Sequence, residues 1–437
     1  MIRRRRLAVA GAAALVAVVA LLLGGVLATS PAASPAAPAA APIRVLAGLS
    51  PGGTVGLVSR LEGAIHRDPR NVKSLATLGL AYEQRWRETG DSSFLPLAAH
   101  ALRNARALSA NDPLTIQGLG SLALTRHEFG RALVLGRLAI RLAPYSSNPY
   151  GIEGDALLEL GRYPQAFAAF QKMVDLKPNL SSYARVSYAR ELTGDLPGAI
   201  TAMRMALDAS VGDREGYAWS SVQLGKLYWM SGDGRTAARL YRGALEIFPG
   251  YVYALDALVP IEAARGHLRR AIALERRTVD AIPLPQFVGQ LGDLYARAGQ
   301  PRLAREQQAT VRVIQRLLGV NGVKVDLETA IYRADHSIDP AGTISLARKA
   351  RALRPSILGD DTLAWALARG GRCAEALGWS KRALRLGTLD SLFDFHRGSI
   401  EQCLGNAAAA RTWFARALAL NPNFSVRFAP VARRAVS

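Results

Sequence analysis

The chain is poor in the side chains on which most enzyme active sites depend. It has 437 residues but only six histidines and two cysteines, and no two histidines share a spacing that would hold a metal ion on a helix. The sequence also contains no glycine-rich phosphate loop and no nucleophile elbow. We therefore expect a protein that is not an enzyme and that has no metal centre and no cofactor.

One short segment, ADHSID, leaves an alternative open. It brings Asp335, His336 and Asp339 together, and side chains of this kind can hold a cation. Aspartate is also common where a helix begins. The preferred interpretation is that this segment ends one helix and caps the next.

Acidic residues and lysines are scarce compared with arginines. The chain has 34 acidic and 55 basic residues, a formal net charge of +21, and since seven of the 55 are lysines, 48 are arginines. Such an excess is compatible with binding an anionic polymer. The arginines are scattered, however, and no RNA-binding aromatic motif accompanies them. We expect solvated helix faces and no nucleic-acid partner, and we keep binding of an acidic glycan or nucleic acid as the alternative function.

The one long hydrophobic run lies at the N-terminus. Arg3 to Arg6 precede residues 7–28, which are uncharged and rich in Ala, Val and Leu. About 20 apolar residues span a bilayer as a helix, and arginines remain on the cytoplasmic side. We expect a membrane anchor with the rest of the chain outside, or a secreted protein if cleavage occurs near Ala28. Residues 29–53 are rich in Pro and Ala and predict an extended spacer.

The remainder of the chain is built from a repeated unit. Glycines that interrupt helical patterns recur every 33–38 residues, apart from one gap of 72 that holds a degenerate unit, and an alanine follows each glycine after five residues. Such a glycine adopts a positive φ and ends the first helix of a hairpin. The alanine allows the second helix to pack closely. The glycines are Gly161, Gly194, Gly232, Gly266, Gly299, Gly371 and Gly405.

One unit shows the complete motif. It contains LGKLY at residues 224–228, then Ala237, Tyr241 and Pro249, where the proline ends the second helix. This pattern resembles the tetratricopeptide repeat, and a chain of this kind resembles bacterial members of that family that are membrane-anchored or secreted.

The resemblance implies an all-α fold, an α-solenoid of stacked antiparallel helix hairpins. It predicts about ten repeats over residues 54–422, with a half-repeat cap at the N-terminal end. Residues 423–437 are expected to form a C-terminal cap.

The resemblance also implies a binding surface. In this family the first helices of the hairpins line a concave groove, and its side chains share one helix face. We predict a non-catalytic scaffold outside the membrane that binds a protein or peptide there, because aromatic side chains supply contact area at low entropic cost, and we expect no small-molecule substrate. Packing of single aromatics between adjacent helices is the alternative. The groove positions are Tyr188, Glu191, Trp219, Lys226, Trp229, Tyr253, Asp256 and Trp365.

The two cysteines, Cys373 and Cys403, fall at the same end of neighbouring helices in the repeat register. An outside compartment permits oxidation, so a disulfide between them is expected. Two buried thiols that never meet are the alternative.

Overall fold

The computed structural model describes residues 53–437, and all regular secondary structure in this part of the chain is helical. It contains 22 α-helices and one short 3₁₀-helix, and none of its residues forms a strand. A single helix, α1 (Gly53–Arg67), precedes ten antiparallel hairpins, and α22 (Ala429–Val436) ends the chain. The predicted all-α solenoid of stacked hairpins is confirmed.

The first five hairpins are numbered 1 to 5 along the chain. Each consists of a first and a second helix joined by a short turn. They are α2 (Val72–Thr89) with α3 (Phe94–Leu108), α4 (Pro113–Thr125) with α5 (Phe129–Leu142), α6 (Asn148–Glu159) with α7 (Tyr163–Leu176), α8 (Leu180–Leu192) with α9 (Leu196–Asp208), and α10 (Arg214–Met230) with α11 (Gly234–Ile247).

Hairpins 6 to 10 continue the same arrangement. The 3₁₀-helix Leu384–Leu386 follows the second helix of hairpin 9. These hairpins are α12 (Val252–Ala264) with α13 (Leu268–Ala281), α14 (Pro285–Arg297) with α15 (Pro301–Val320), α16 (Asp326–Asp335) with α17 (Pro340–Leu353), α18 (Ile357–Arg369) with α19 (Cys373–Ala383), and α20 (Ser391–Cys403) with α21 (Ala407–Leu420).

The hairpin turns have the backbone conformation that the repeat predicts. All seven glycines named above have φ between 70° and 83°, which only glycine adopts without strain. Close packing follows within each hairpin: Ala237 is fully buried, and the buried Tyr241 ring lies where a Cβ atom on Gly225 would overlap it.

Hairpin 8, the degenerate unit, turns without glycine. Ser337 and Asp339 have φ of 54° and 41°, and the Asp339 carboxylate accepts a hydrogen bond from the Gly342 amide (3.2 Å) at the start of α17. The segment thus ends one helix and caps the next. In the described part of the chain, no group of three or more His, Cys, Asp or Glu side chains could hold a metal ion.

The solenoid closes on itself after about five hairpins. The turn of hairpin 3 lies against the link between hairpins 8 and 9, where the Ile357 amide donates to the Tyr163 hydroxyl (2.6 Å). One hairpin later, the Thr388 hydroxyl donates to the carbonyl of Leu192 (2.5 Å). Hairpins five positions apart are therefore in direct contact.

The same spacing recurs on both sides of these contacts. In hairpin 2, Nδ1 of His127 lies 2.9 Å from the carbonyl oxygen of Lys324, which follows hairpin 7. The carbonyl of Trp229 in hairpin 5 accepts a hydrogen bond from the side chain of Asn421, which follows hairpin 10 (2.8 Å). One superhelical turn thus rests on the next along a continuous seam.

An ion pair at the centre of this seam joins the two turns. The Arg354 guanidinium donates to the Glu159 carboxylate (Nη2–Oε1 2.7 Å) and to that of Glu328 (Nη1–Oε1 3.0 Å). The Arg354 and Glu159 side chains are only 6% and 5% exposed. Charged groups so deeply buried are stable only when paired, so this contact requires the closed arrangement.

The N-terminal predictions fall mostly outside the described residues. The expected anchor, residues 7–28, and all but the last residue of the spacer precede residue 53. From Gly53 onward, no helix is long and apolar enough to cross a membrane.

Candidate functional site: the inner surface of the solenoid

The first helices of the hairpins line the interior of the closed solenoid, and we call this lining the inner surface. Contacts across it join hairpins that are distant in sequence. The Gln84 amide on α2 donates to the Glu215 carboxylate on α10 (3.2 Å), 131 residues away. Hairpins 1 and 5 therefore meet across the inner surface.

A row of charged side chains runs along three neighbouring first helices. Lys226 on α10 interacts electrostatically with Asp256 on α12 and with Glu191 on α8. Burial lowers the pKa of Lys226, and the two carboxylates partly offset that effect. Burial also raises the pKa of Asp256 to about 6, although Lys226 and a hydrogen bond from Gln290 (2.8 Å) oppose the rise.

A third carboxylate faces this row from the other superhelical turn. Asp390, at the start of α20, is 4% exposed; its Oδ1 accepts a hydrogen bond from the Leu392 amide (2.7 Å), while Oδ2 has no hydrogen-bond partner among residues 53–437. Burial raises the pKa of Asp390 to about 7. Burial, and then the negative charge of Asp390, raise the pKa of Glu191 to about 8. The interior therefore brings together several carboxyl groups whose raised pKa values favour the protonated form.

The predicted aromatic residues differ in their surroundings. Tyr188 and Trp219 are each only 8% exposed. Tyr253 is half-buried, with its ring edge against Phe287 (centroids 6.0 Å apart). Trp229 is also half-buried and lies at the turn of hairpin 5, and in the part of the chain that the structure describes its indole Nε1 has no hydrogen-bond partner.

Trp365 is packed between hairpins 8, 9 and 10. Its indole nitrogen donates to Asp335 (2.8 Å), and its ring stacks on His396 with centroids 4.3 Å apart. His396 Nδ1 lies 2.9 Å from Asp361 Oδ2. At 2% exposure, Trp365 has the packing between adjacent helices that was the alternative, and Phe428 meets its ring at 87°.

Phe428 belongs to the C-terminal segment, residues 421–428, which connects α21 to α22 across the interior. Val426 packs against a cluster that includes Val259 and Leu294, and Arg427 donates to the Asp293 carboxylate (2.9 Å). The expected C-terminal cap is thus more than a closing helix, because the segment before α22 reaches hairpins 6 and 7.

The cysteines lie where the repeat register places them. Cys373 begins α19 and Cys403 ends α20. The structure joins them in a disulfide, with Cα atoms 6.0 Å apart. This distance is in the usual range for a disulfide.

Several residues of the site were missed by sequence reasoning. Arg354 looks like one more surface arginine, and Asp390 looks only like a helix cap. Asp293 lies in LGDLY, at the position that Lys226 has in LGKLY, but it is not among the predicted groove residues. Their roles depend on contacts between hairpins far apart in the chain, and no local pattern indicates such contacts.

No protein-family model matches this chain, and no curated protein sequence resembles it significantly. Several solved structures can be aligned with the structure of this chain. The thermophilic TPR protein TTC0263 of Thermus thermophilus is 19% identical, with 44% of this chain and 98% of that one covered and a TM-score of 0.39. YrrB, a TPR protein described as having an unusual peptide-binding site, is 16% identical, with 45% and 96% covered and a TM-score of 0.29. The structure of the APC/C hetero-tetramer Cut9–Hcn1 overlaps with 87% of this chain and 92% of its own, at 14% identity and a TM-score of 0.37.

At these identities and scores, the overlaps carry no argument about function. The architecture follows from the molecule itself: stacked hairpins, glycine turns at positive φ and a fully buried alanine five residues after most of these glycines. The fold is the tetratricopeptide-repeat solenoid that the sequence motif implies.

Proposed function

We propose that the chain is a non-catalytic scaffold whose inner surface binds a segment of a protein or peptide partner. The observation that carries this proposal is the row formed by Glu191, Lys226 and Asp256. These three side chains are half-buried, and an ionisable group loses free energy on burial, either by giving up its charge or by keeping it incompletely paired. Stability alone favours apolar side chains at these places, so their presence supports a role in binding a polar, extended ligand.

The neighbouring aromatic residues fit the same role. Trp219 and Tyr253 lie on the helices that carry Lys226 and Asp256. Aromatic side chains beside a few charged groups are the usual composition of a peptide-binding surface.

A peptide-display selection tests this proposal because it does not require the partner to be identified first. Peptides selected on the wild-type protein are measured against the variant Glu191→Gln/Lys226→Met, which removes charge but leaves no large cavity. We expect at least a tenfold loss of affinity, roughly 1.4 kcal/mol. The exposed substitution Arg239→Gln on α11 is the matched control. Failure to select any peptide, or equal affinity for both variants, would contradict the proposal.

The location of the scaffold is part of the proposal. Arg3 to Arg6 before the apolar residues 7–28 support an extracytoplasmic position for the hairpins. A reporter that is active only in the cytoplasm, fused after Ser437, is expected to be silent. A strongly active fusion would place the hairpins inside.

A second candidate, binding of an anionic polymer, is favoured by an arrangement on second helices. Trp413 on α21 lies between Arg397 and Arg416, with guanidinium carbons 5.2 and 5.1 Å from the ring centroid. Trp379, 34 residues earlier, is also flanked by two arginines, at 4.8 and 5.1 Å. Bases and sugars can stack on such surfaces.

Internal ion pairs weaken this second candidate. Arg416 already pairs with Asp394 (3.0 Å) and Arg397 with Glu401 (2.8 Å), so part of their charge is neutralised. Affinity for a sulfated glycan or single-stranded RNA, measured from low to high salt, decides the question. Tight binding with a steep salt dependence, lost in Arg397→Gln/Arg416→Gln, would favour the polymer over the peptide.

A further inference from the structure

The C-terminal segment, residues 421–428, has ionic contacts of the kind expected of a ligand. Arg427 Nη1 lies 2.9 Å from Asp293 Oδ1 on α14. His336 Nε2 approaches the same oxygen to 3.0 Å. The Asp293 side chain is only 4% exposed, so the acceptor for the arginine is a recessed carboxylate on a helix 134 residues away.

Aromatic contacts flank this ion pair. Phe428 stacks on Phe395 of α20, with ring centroids 4.8 Å apart and an angle of 26°, and it meets Trp365 of α18 edge to face at 5.8 Å. Phe424 lies 5.8 Å from Phe395. Phe424 and Phe428 are 1% and 6% exposed, so both are anchored in the interior.

The C-terminal segment reaches beyond the last hairpin. Helix α22 already packs against α21 and covers the last hairpin. The segment before it instead reaches α14, and the Arg297 guanidinium donates to the carbonyl of Val426 (3.5 Å). The inner surface of hairpins 7 to 10 thus holds a stretch of chain made of consecutive turns, through side-chain pockets and one main-chain contact.

From this arrangement we infer that the inner surface formed by α14, α18 and α20 recognises a short, turn-forming protein segment in which an arginine lies between two aromatic residues. The chain's own FSVRF, residues 424–428, is the internal occupant of that site. A partner protein that presents such a segment binds by replacing it. The inference rests on the proposed function and adds to it the chemistry of the partner.

Charge complementarity supports this choice of occupant. The recessed carboxylate of Asp293 accepts the arginine, and Asp335 and Asp361 lie close to Trp365 and His396. An acidic segment would face repulsion from these groups, and an uncharged one would leave Asp293 with less compensation.

A tethered occupant sets the expected strength of competition. A flexibly linked segment has an effective concentration in the millimolar range, so a free peptide binds the wild-type protein only weakly. Weakening the internal occupant removes that competition and raises the apparent affinity of the peptide.

The experiment uses the full-length chain and a fluorescent peptide of residues 421–431, NPNFSVRFAPV. Its affinity is measured by anisotropy for the wild type and for Arg427→Ala/Phe428→Ala, with circular dichroism as the check on folding. We expect at least tenfold tighter binding to the variant. The milder variant Arg427→Gln, which keeps both rings, is expected to show a smaller gain in the same direction. The matched control peptide NPNASVEAAPV is expected to bind none of these proteins.

The added substitution Asp293→Asn in the double variant is expected to remove most of the gain, because it removes the acceptor for arginine. Folded variants that bind NPNFSVRFAPV no better than the wild type would overturn the inference. The wild type could instead form concentration-dependent dimers that are absent in Arg427→Ala/Phe428→Ala. That result would mean that the segment occupies the site of a second copy of the chain, and it would also overturn the inference. If NPNFSVRFAPV gives this negative result while display-selected peptides still depend on Glu191 and Lys226, only the inference fails. If no peptide binds either site, the proposed function fails as well.

Discussion

Turns with the same sequence pattern have different surroundings in the two halves of the solenoid. Gly161 and Gly194, in hairpins 3 and 4, abut the carbonyl oxygens of Pro355 and Gly387 from the next superhelical turn. Within the described residues, Gly371 and Gly405, in hairpins 9 and 10, have no neighbouring atom within 4 Å of the position of an added Cβ atom. All four have φ between 70° and 81°. Local sequence therefore determines the turn, whereas the closing of the solenoid determines what the turn supports.

Removing the Arg354–Glu159 ion pair, which joins the two superhelical turns, should cause the largest loss in the free energy of unfolding. Arg354→Ala leaves Glu159 buried without its cation, which costs about 3–5 kcal/mol. The matched control is Arg348→Ala, whose pair with Glu375 is largely exposed and contributes about 0–1 kcal/mol. Chemical denaturation of both variants measures the difference. Equal losses would mean that the two superhelical turns do not depend on each other.

A disulfide stabilises hairpins 9 and 10. Cys373 follows Gly371 and Cys403 precedes Gly405, so the bond joins two hairpins whose turns have no contact with the other superhelical turn among the described residues. Closing a loop of 30 residues is worth about 3–4 kcal/mol in the entropic model. Cys373→Ser should lower the stability of the oxidised protein by that amount and leave the reduced protein nearly unchanged. Two free thiols in the denatured, unreduced wild type would contradict the bond itself.

The glycines allow a direct comparison of the two halves. Alanine at a positive φ costs about 1–2 kcal/mol wherever it occurs. At Gly161 the new methyl group also meets the Pro355 carbonyl, and overpacking adds about 1–3 kcal/mol. Gly161→Ala should therefore be less stable than Gly405→Ala by that second amount. Variants of equal stability would show that the turn of hairpin 3 is as open as that of hairpin 10.

The last comparison concerns pH and the carboxyl groups of Glu191 and Asp390, which face each other across the two superhelical turns. The folded protein raises the pKa of Glu191 to about 8 and that of Asp390 to about 7. From the ordinary carboxyl range up to these values, the folded chain holds protons that the unfolded chain has lost, so stability falls as pH rises.

Melting temperatures between pH 5 and pH 8 test this effect. The decline should be shallower in Glu191→Gln/Asp390→Asn than in the wild type, while Glu246→Gln on the exposed face of α11 should leave it unchanged. Parallel profiles for the wild type and the double variant would show that these carboxylates ionise as they do in water.

The parts of the fold that were predictable are the local ones. A glycine, an alanine five residues later and a proline that ends the helix are enough to define a hairpin, so Gly161 and Gly405 could be recognised alike. The closed superhelix was not predictable, because it results from small rotations between successive hairpins that add up over the array. Trp365 was predicted on the groove side, but the tail that covers it was interpreted only as a cap.

One distance tests most directly whether the solenoid closes after five hairpins. Arg235 and Ala419 are exposed residues 184 positions apart. Arg235 is three residues after Gly232 and Ala419 directly precedes Leu420, and Gly232 and Leu420 lie against each other at the seam. With both changed to spin-labelled cysteines in a Cys373→Ser/Cys403→Ser background, pulsed electron resonance should give one narrow distance near the short end of its range. An open stack would separate hairpins 5 and 10 by roughly 50 Å, at about 10 Å for each packed layer. A distribution centred there would contradict the closed solenoid and the enclosed inner surface built on it.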